Sequence, residues 1–357
     1  MNSWHTAALA AILAIGSGSA HAVEVVASVR PVHSLVASVM EGVGSPVLLL
    51  EGESSPHTAS LKPSQARALA GADAVFWIGR DMETFLVGAL ETTAENATII
   101  TLTDADSVEL LPVRESEHFE AHDHGDDGHD DHDDHGDDDD HDDHDNHGDH
   151  DDHDDHGDHD DHDGHDDHAD HGDHDDHAGE GHDHHGASDA HVWLDPLNAR
   201  AMIEAIAVAL VEADPANADR YRENATATRA RLASLSDELE TTLAPVAGRP
   251  FIVFHDAYQY LEARTGLTAV GALSINPEVA PGARHLSELR ETIGELDAVC
   301  VFAEPQFPAA TVRVVTEGTS ARTAVLDPLG SHIAPGPDQY PAMMRDMAAT
   351  ILECLEG

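Results

Sequence analysis

Short runs of β-branched and other apolar residues alternate with segments of helical periodicity in the first third of the chain. Strands are predicted at 23–29, 47–50, 74–78 and 97–102, with helices at 32–40, 64–70 and 82–90. Strands that alternate with helices at this spacing are typical of a parallel α/β structure. This part of the sequence therefore predicts one α/β lobe.

The same alternation returns after residue 250. Strands are predicted at 251–254, 268–272, 298–303 and 323–326, with helices at 257–265, 283–295, 312–318 and 341–355. Two helices precede this second unit, one over 196–212 and a longer one that starts at Asp214-Pro215 and ends near Leu243. At 1.5 Å per residue the longer helix would reach roughly 40 Å, enough to span two lobes.

The predicted fold class is therefore α/β, with two α/β lobes that are each a mainly parallel sheet flanked by helices. A long helix bridges the lobes. The predicted N-terminal lobe covers 23–213, the linking helix 214–246 and the C-terminal lobe 247–357. Residues 117–186 interrupt the first lobe with a segment of very different composition.

The N-terminus and the cysteines bear on the compartment. Residues 7–15 form an apolar core, and Ala20-His21-Ala22 has the small-x-small form of a signal-peptidase site, so 1–22 is predicted to be a signal peptide. The apolar run is far shorter than the ~20 residues of a membrane span, so we expect an exported periplasmic protein without one. In an oxidising compartment the two cysteines, Cys300 and Cys354, favour one disulfide, with two buried free thiols as the alternative.

The segment from His118 to His185 is built almost entirely of histidine, aspartate and glycine. It holds 22 of the 30 histidines, 30 aspartates, two glutamates and no lysine or arginine, and over 129–177 a histidine recurs at every third position with one interruption. Such a segment lacks the apolar surface needed to fold alone, so a disordered loop is expected. Imidazole and carboxylate suit Zn²⁺, Cu²⁺ and Ni²⁺. An inert acidic linker would not need this histidine spacing, so we predict a low-affinity metal loop, with His182, His184 and His185 next to the following lobe segment.

The charge outside the loop limits the choice of partners. The formal net charge is −53, and −21 remains once the 32 acidic residues of the loop are set aside. An acidic remainder argues against nucleic acid and against an anionic membrane surface as partners.

Six histidines lie outside the loop and the signal peptide: His33, His57, His191, His255, His285 and His332. Three of them, at 57, 191 and 255, lie where a predicted strand gives way to a loop or helix. Ligands of open α/β sheets bind at the carboxyl ends of strands, so these three side chains can converge in one cleft. Three imidazoles with one open position are a favourable zinc set, although a single histidine is more often an ordinary capped or solvated side chain.

Several longer segments carry a resemblance to a known family. They are PHTASLKPSQARALAGADAVFWIG, HVWLDPLNA, FHDAYQYLE, INPEVAPGARHL, VFAEPQF and LDPLGSHI, in this order. With the histidine/acid-rich loop before HVWLDP, they resemble the ZnuA family of periplasmic zinc-binding receptors of bacterial ABC transporters, within the wider cluster of Zn, Mn and Fe receptors. The resemblance covers nearly all of the chain beyond the signal peptide.

The resemblance implies a site and partners. It implies metal ligands at His57, His191 and His255, with Asp327 at the fourth family position. Manganese and iron receptors tend to have a carboxylate at the third position, where this chain has His255, so Zn²⁺ is the expected cargo. Pro56 stands where some zinc receptors have an acidic residue, which leaves water, Asp327 or a loop residue as the fourth ligand. A monomer that delivers Zn²⁺ to a membrane permease with a cytoplasmic ATPase is implied, as is a disulfide between the two cysteines.

Three alternatives remain open at the level of sequence. A zinc hydrolase would need an activated water, but the sequence has no HExxH motif and no evident general base, so we expect no enzyme. A free-standing periplasmic metal buffer would use the His/Asp-rich loop without any transporter. A manganese or iron receptor of the same cluster is the third alternative.

Overall fold

The structure is a computed structural model that describes residues 23–114, 188–274, 281–295 and 298–357. The predicted signal peptide and the His/Asp-rich loop, including His182, His184 and His185, lie outside the described residues.

The first lobe is built on a four-stranded parallel sheet. Its strands run in the spatial order β2-β1-β3-β4 and are β1 (Val25–Ala27), β2 (Val47–Leu48), β3 (Ala74–Trp77) and β4 (Thr98–Thr101). Its helices are α1 (Arg30–Val39), α2 (Pro63–Ala70) and α3 (Val87–Thr93). The central strands β1 and β3 are buried along their whole length, as expected of apolar strands covered on both faces.

The second lobe repeats this topology. Its parallel strands run in the order β6-β5-β7-β8 and are β5 (Pro250–His255), β6 (Thr268–Ser274), β7 (Cys300–Ala303) and β8 (Arg322–Val325). Its helices are α6 (Gln259–Thr265), α7 (Ala283–Glu295) and α8 (Ala309–Thr316). The prediction of two α/β lobes is confirmed, and both sheets follow the same strand order.

Three long helices, α4 (Pro196–Ala213), α5 (Ala218–Leu243) and α9 (Gln339–Glu356), pack beside the sheets. The 26 residues of α5 give a rod of roughly 39 Å. Its buried face includes Leu232, Leu235, Leu239 and Leu243, and it packs on α1 and α4 of the first lobe and on α6 and α9. One continuous apolar core therefore joins the two lobes along this helix.

Two helix starts differ from the sequence prediction for identifiable reasons. Asp214-Pro215 begins a 3-10 turn, and α5 itself starts at Ala218, because the Asp214 carboxylate accepts hydrogen bonds from the side chains of Asn217 and Tyr221. The helix predicted from residue 82 begins later, with a 3-10 turn from Thr84 that leads into α3.

α3 starts later than predicted because the Glu83 side chain accepts buried hydrogen bonds from the turn before it. This fully buried carboxylate accepts the Ile78 and Gly79 amides at 3.1 and 3.0 Å and the Ser28 hydroxyl at 2.5 Å. It therefore joins the chain leaving β1 to the chain leaving β3, and the residues before Thr84 follow a tight turn rather than a helix.

Polar contacts from the second lobe hold the segment that follows the His/Asp-rich loop. Arg264 of α6 forms a bidentate pair with Asp195, the N-cap of α4, at 3.0 and 2.7 Å. Tyr340 of α9 donates its hydroxyl to the Trp193 carbonyl at 2.7 Å, and the Trp193 indole donates to the Pro328 carbonyl at 2.9 Å. The interlobe contact is therefore both apolar and hydrogen-bonded.

A search of the described residues finds no helix long and apolar enough to cross a membrane.

Cys300 at the start of β7 and Cys354 on α9 form the predicted disulfide. The bond links the central part of the second sheet to the last helix and closes a segment with a sequence separation of 54 residues. It ties α9, which contacts both α1 and α5, to the second lobe.

Breaking this disulfide should destabilise the fold. A cross-link over a segment of this length restricts the unfolded chain, so we expect reduction to lower the free energy of unfolding by about 2–5 kcal/mol. Urea unfolding with and without reductant measures the loss. The Cys300→Ala/Cys354→Ala double variant is the control and should not respond to reductant. Two thiols that react with an alkylating agent in the native, non-reduced exported protein would contradict the bond.

Candidate metal centre

Three separate elements bring the predicted histidines to one place. His57 lies in the loop between β2 and α2, where Ser55 Oγ accepts its backbone amide at 3.3 Å. His191 precedes the 3-10 turn Val192–Leu194 that leads into α4. His255 is the last residue of β5, at the carboxyl edge of the second sheet. Two ligands therefore come from the first part of the chain and one from the second lobe.

The spacing of the three imidazoles fits a metal ion. The Nε2 atom of His191 lies 3.3 Å from that of His57 and 3.2 Å from that of His255. Zinc–nitrogen bonds of 2.0–2.1 Å in a tetrahedron require ligand nitrogens about 3.3–3.4 Å apart. Among the described residues, one group of three or more histidine, cysteine or acidic side chains has all its ligand atoms within 4.8 Å of one another, and these histidines form it.

Buried carboxylates hold two of the three rings. Asp189 Oδ1 accepts Nδ1–H of His191 at 2.7 Å, and Glu304 Oε1 accepts Nδ1–H of His255 at 2.8 Å. Because an ionised carboxylate only accepts hydrogen bonds, Nδ1 carries the proton and Nε2 keeps its lone pair for a ligand bond. Asp189 is 6% exposed and Glu304 is 3% exposed, so little water competes for these bonds.

The sequence prediction missed both carboxylates. The available signals were weak: Asp189 lies two residues before His191, and Glu304 directly follows β7, the parallel neighbour of β5. Only the register of the second sheet shows that the carboxyl ends of β5 and β7 lie side by side.

Burial and neighbouring charges shift the pKa values of His57 and His255 in opposite directions. Burial, together with the rings of His191 and His255, lowers the pKa of His57 to about 2, so this imidazole is neutral and able to bind metal throughout the ordinary pH range. Burial also acts to lower the pKa of His255, but the Glu304 carboxylate outweighs it and the pKa lies above the ordinary value. A metal ion that binds His255 must therefore displace a more strongly held proton.

Asp327, the residue at the fourth family position, lies in a different set of contacts. Its Oδ1 accepts the side-chain amide of Gln306 at 2.9 Å and the Leu329 backbone amide at 3.1 Å. Its Oδ2 accepts the backbone amide and the hydroxyl of Ser331, both at 2.6 Å. Burial alone would raise the pKa of Asp327, but these donors outweigh it and keep the pKa below its usual value. Four donors thus already occupy this carboxylate.

The other three histidines make structural contacts. His33 Nε2 lies 3.1 Å from the Pro46 carbonyl, and His285 Nε2 lies 3.0 Å from the Ala272 carbonyl. His332 is exposed and lies between two carboxylates, with Nε2 3.0 Å from Asp346 and Nδ1 3.5 Å from Asp327.

Aromatic rings pack against the candidate ligands. The ring centroid of Trp193 lies 5.4 Å from that of His191, and Phe307 lies 5.5 Å from His255. Phe254 stacks on Phe307 at 4.5 Å with nearly parallel ring planes. These contacts restrict the motion of the imidazoles.

The segments on either side of the His/Asp-rich loop are joined to α6 of the second lobe. Tyr260 accepts the Leu111 amide at 3.0 Å and donates to the Asp189 carbonyl at 2.6 Å. Arg114 pairs with Asp256 at 2.9 Å and with Glu262 at 3.0 Å. Arg114 therefore connects the chain before the loop to the residue that follows His255, a role the sequence analysis did not predict.

The pocket between the histidines is very small. Its lining includes Pro56, Trp193, Glu304, Gln306 and Phe307, and its volume is about 10 Å³. A cavity of roughly 10–15 Å³ holds one water-sized sphere. The site as described therefore suits a bare ion with at most one small additional ligand.

Comparison with known proteins identifies a family and a close relative. The model of a family described as "ZnuA: Zinc-uptake complex component A periplasmic" matches residues 25–354. The high-affinity zinc uptake system protein ZnuA of Brucella abortus (strain 2308) is 45% identical over 359 residues, which cover 99% of this chain and 99% of the relative.

Solved structures share the fold at lower identity. A crystal structure of ZnuA has a TM-score of 0.67 and 22% identity, covering 94% of this chain and 100% of that chain. FpvC from Pseudomonas aeruginosa in complex with Mn²⁺ has a TM-score of 0.66 and 17% identity, covering 94% and 99%. The fold is therefore shared with that manganese complex.

The family match spans almost all of the described chain, and the identity to the Brucella relative extends over nearly its full length. The chain belongs to the ZnuA family of periplasmic components of zinc-uptake complexes.

Proposed function

We propose that this protein is a high-affinity periplasmic receptor that captures Zn²⁺ and delivers it to the permease of an ABC transporter. The observation that carries the proposal is the convergence of three imidazoles, with Nε2 of His191 3.2–3.3 Å from those of the other two, a separation that fits a tetrahedral zinc ion. In the proposed site His57, His191 and His255 bind the ion, while Asp189 and Glu304 fix the ring orientation.

The ligand atoms favour Zn²⁺ over Mn²⁺. Three imidazole nitrogens form a borderline-soft set, whereas Mn²⁺ prefers oxygen-rich sites with more ligands. His255 occupies the position that carries a carboxylate in the manganese and iron branch. The Glu304 carboxylate instead accepts a hydrogen bond from Nδ1 of that ring.

Binding from both lobes supports delivery as well as capture. His255 belongs to the second lobe and His57 to the first, so separation of the lobes would break the ligand set and release the ion. The small pocket leaves no room for an organic substrate, which favours a receptor over a hydrolase. The family and the predicted signal peptide support the permease partner and the periplasmic location.

We propose an auxiliary role for the His/Asp-rich loop, which the sequence places immediately before His191. Metal held weakly by its many imidazoles and carboxylates would be kept near the cleft at a high effective concentration. The loop would then act as a collector that supplies the tight site when zinc is scarce.

Replacing a single ligand should remove tight binding. We expect His57→Ala, His191→Ala or His255→Ala to weaken the tight zinc site by more than about 100-fold, because loss of an outer-shell partner alone typically costs about 10–100-fold. Competition with a zinc chelator measures the change. His33→Ala, which alters a histidine outside the site, is the matched control and should bind normally. Tight-site affinity that survives His191→Ala would reject the assignment.

Deleting residues 117–186 should remove the extra weak ions and leave one tight ion. Since protons compete with metal for imidazole, the weak ions of the full-length protein should be lost as the pH falls below about 6.5, the ordinary histidine value. Equilibrium dialysis with elemental analysis counts both classes of ion. Loss of the tight ion on deletion would show that the loop belongs to the primary site.

Delivery separates a receptor from a free-standing buffer. The zinc-loaded protein should stimulate ATP hydrolysis by the reconstituted permease and ATPase of its own transport system, whereas the His255→Ala variant at the same concentration should not. An ATPase rate that depends on added zinc but is indifferent to this protein would favour the buffer.

A further inference from the structure

The metal pocket contains one polar side chain that has no role in the ligand set described so far. Gln306 follows β7 and lines the pocket together with His57, His191 and His255. Since it is an amide, it contributes no charge and was not among the ligands expected from the sequence.

The contacts of Asp327 fix the orientation of the Gln306 amide. Gln306 Nε2 donates to Asp327 Oδ1 at 2.9 Å. A carboxylate oxygen faces donors, and Asp327 Oδ1 also accepts the Leu329 amide, so the NH₂ group of Gln306 rather than its carbonyl must point toward it. The carbonyl oxygen Oε1 is therefore directed away from Asp327.

Gln306 Oε1 is buried and accepts no hydrogen bond from the residues that the structure describes. A buried carbonyl without a donor lowers stability, so such an atom calls for a partner. Because Gln306 also lines the histidine pocket, a donor that enters with the ion can fill this place.

Tetrahedral zinc held by three imidazoles has one open position, which a water molecule can fill. Neither Asp327 nor Glu304 belongs to the group whose ligand atoms lie within 4.8 Å of one another. A metal-bound water is a strong hydrogen-bond donor, because the cation withdraws charge from it. A carbonyl oxygen is the matching acceptor.

We propose that the fourth ligand of the bound ion is a water molecule whose proton is accepted by Gln306 Oε1, with Asp327 acting only to orient the Gln306 amide. This inference rests on the proposed zinc function and extends it to the fourth ligand. It assigns Gln306 and Asp327 as positioning residues, and it explains how Asp327 contributes to the site while its carboxylate stays bonded to four other donors.

The Gln306→Met exchange tests the role of the amide, since methionine keeps the length and packing of the side chain but offers no carbonyl. Full-length protein is titrated with Zn²⁺ in the presence of a chelator that suppresses the weak sites. We expect Gln306→Met to weaken the tight site by about 10–100-fold, the typical effect of losing an outer-shell partner. The thermal midpoint of the metal-free protein should stay near the wild-type value.

Gln65→Met is the matched control, because Gln65 also donates its side-chain amide to a protein oxygen, the Leu49 carbonyl, but lies outside the metal pocket. It should bind zinc as the wild type does. The water itself is detected by loading the wild-type protein with less than one equivalent of Co²⁺ and recording its electron paramagnetic resonance spectrum in ¹⁷O-enriched water. Line broadening relative to ordinary water is expected.

Each outcome bears on a different claim. Unchanged zinc affinity in Gln306→Met, or a Co²⁺ spectrum that is not broadened by ¹⁷O, would overturn the proposed water and its acceptor. In either case, if His191→Ala still loses tight zinc binding, the assignment of the three-histidine site stands. Tight binding that survives His191→Ala would instead show that the proposed zinc site is itself wrong.

Discussion

The structure depends on one electrostatic requirement: three imidazoles must present unprotonated nitrogens to the same point. Nε2 of His191 lies 3.2–3.3 Å from those of the other two rings, so positive charge on more than one ring is costly, and burial adds to that cost. Asp189 and Glu304 direct two of the Nε2 atoms to this point by accepting the Nδ1 protons on the opposite side of the rings. The low pKa of His57 is the consequence at the third ring.

The fold serves this requirement by bringing carboxyl ends of strands to a shared cleft. In the second sheet β5 and β7 are parallel neighbours, so His255 at the end of one lies beside Glu304 after the other. In the first lobe His191 comes from a turn rather than a strand, and α6 and α9 hold that turn through contacts to Asp195 and Trp193. The same contacts that join the lobes therefore also position the ligands.

Much of this architecture could be predicted from the sequence because it rests on local patterns. The parallel strands are short apolar runs, and α5 has its leucines on one face, so both lobes and the long helix followed from periodicity. The ligand histidines lay at transitions between predicted elements, and the family resemblance selected them from the six candidates. The disulfide was expected from two cysteines in an exported chain and is present.

The residues that sequence analysis missed act through tertiary contacts. Glu304 acquires its role from strand register, and Arg114 from its pairing with Asp256 and Glu262 far along the chain. The sequence pattern places Glu83 in a helix, but in the structure its carboxylate accepts buried hydrogen bonds from the Ile78 and Gly79 amides. Asp327 has the expected position in the sequence, but its carboxylate accepts four hydrogen bonds from nearby residues. The spacing of residues in the sequence does not predict these bonds.

Anomalous diffraction at the zinc absorption edge, from crystals of protein loaded with one equivalent of Zn²⁺, tests the central claim most directly. The account predicts that the strongest anomalous peak lies 2.0–2.1 Å from Nε2 of His57, His191 and His255, with one further light-atom ligand. A strongest peak that contacts fewer than these three rings, or that lies elsewhere in the molecule, would contradict it.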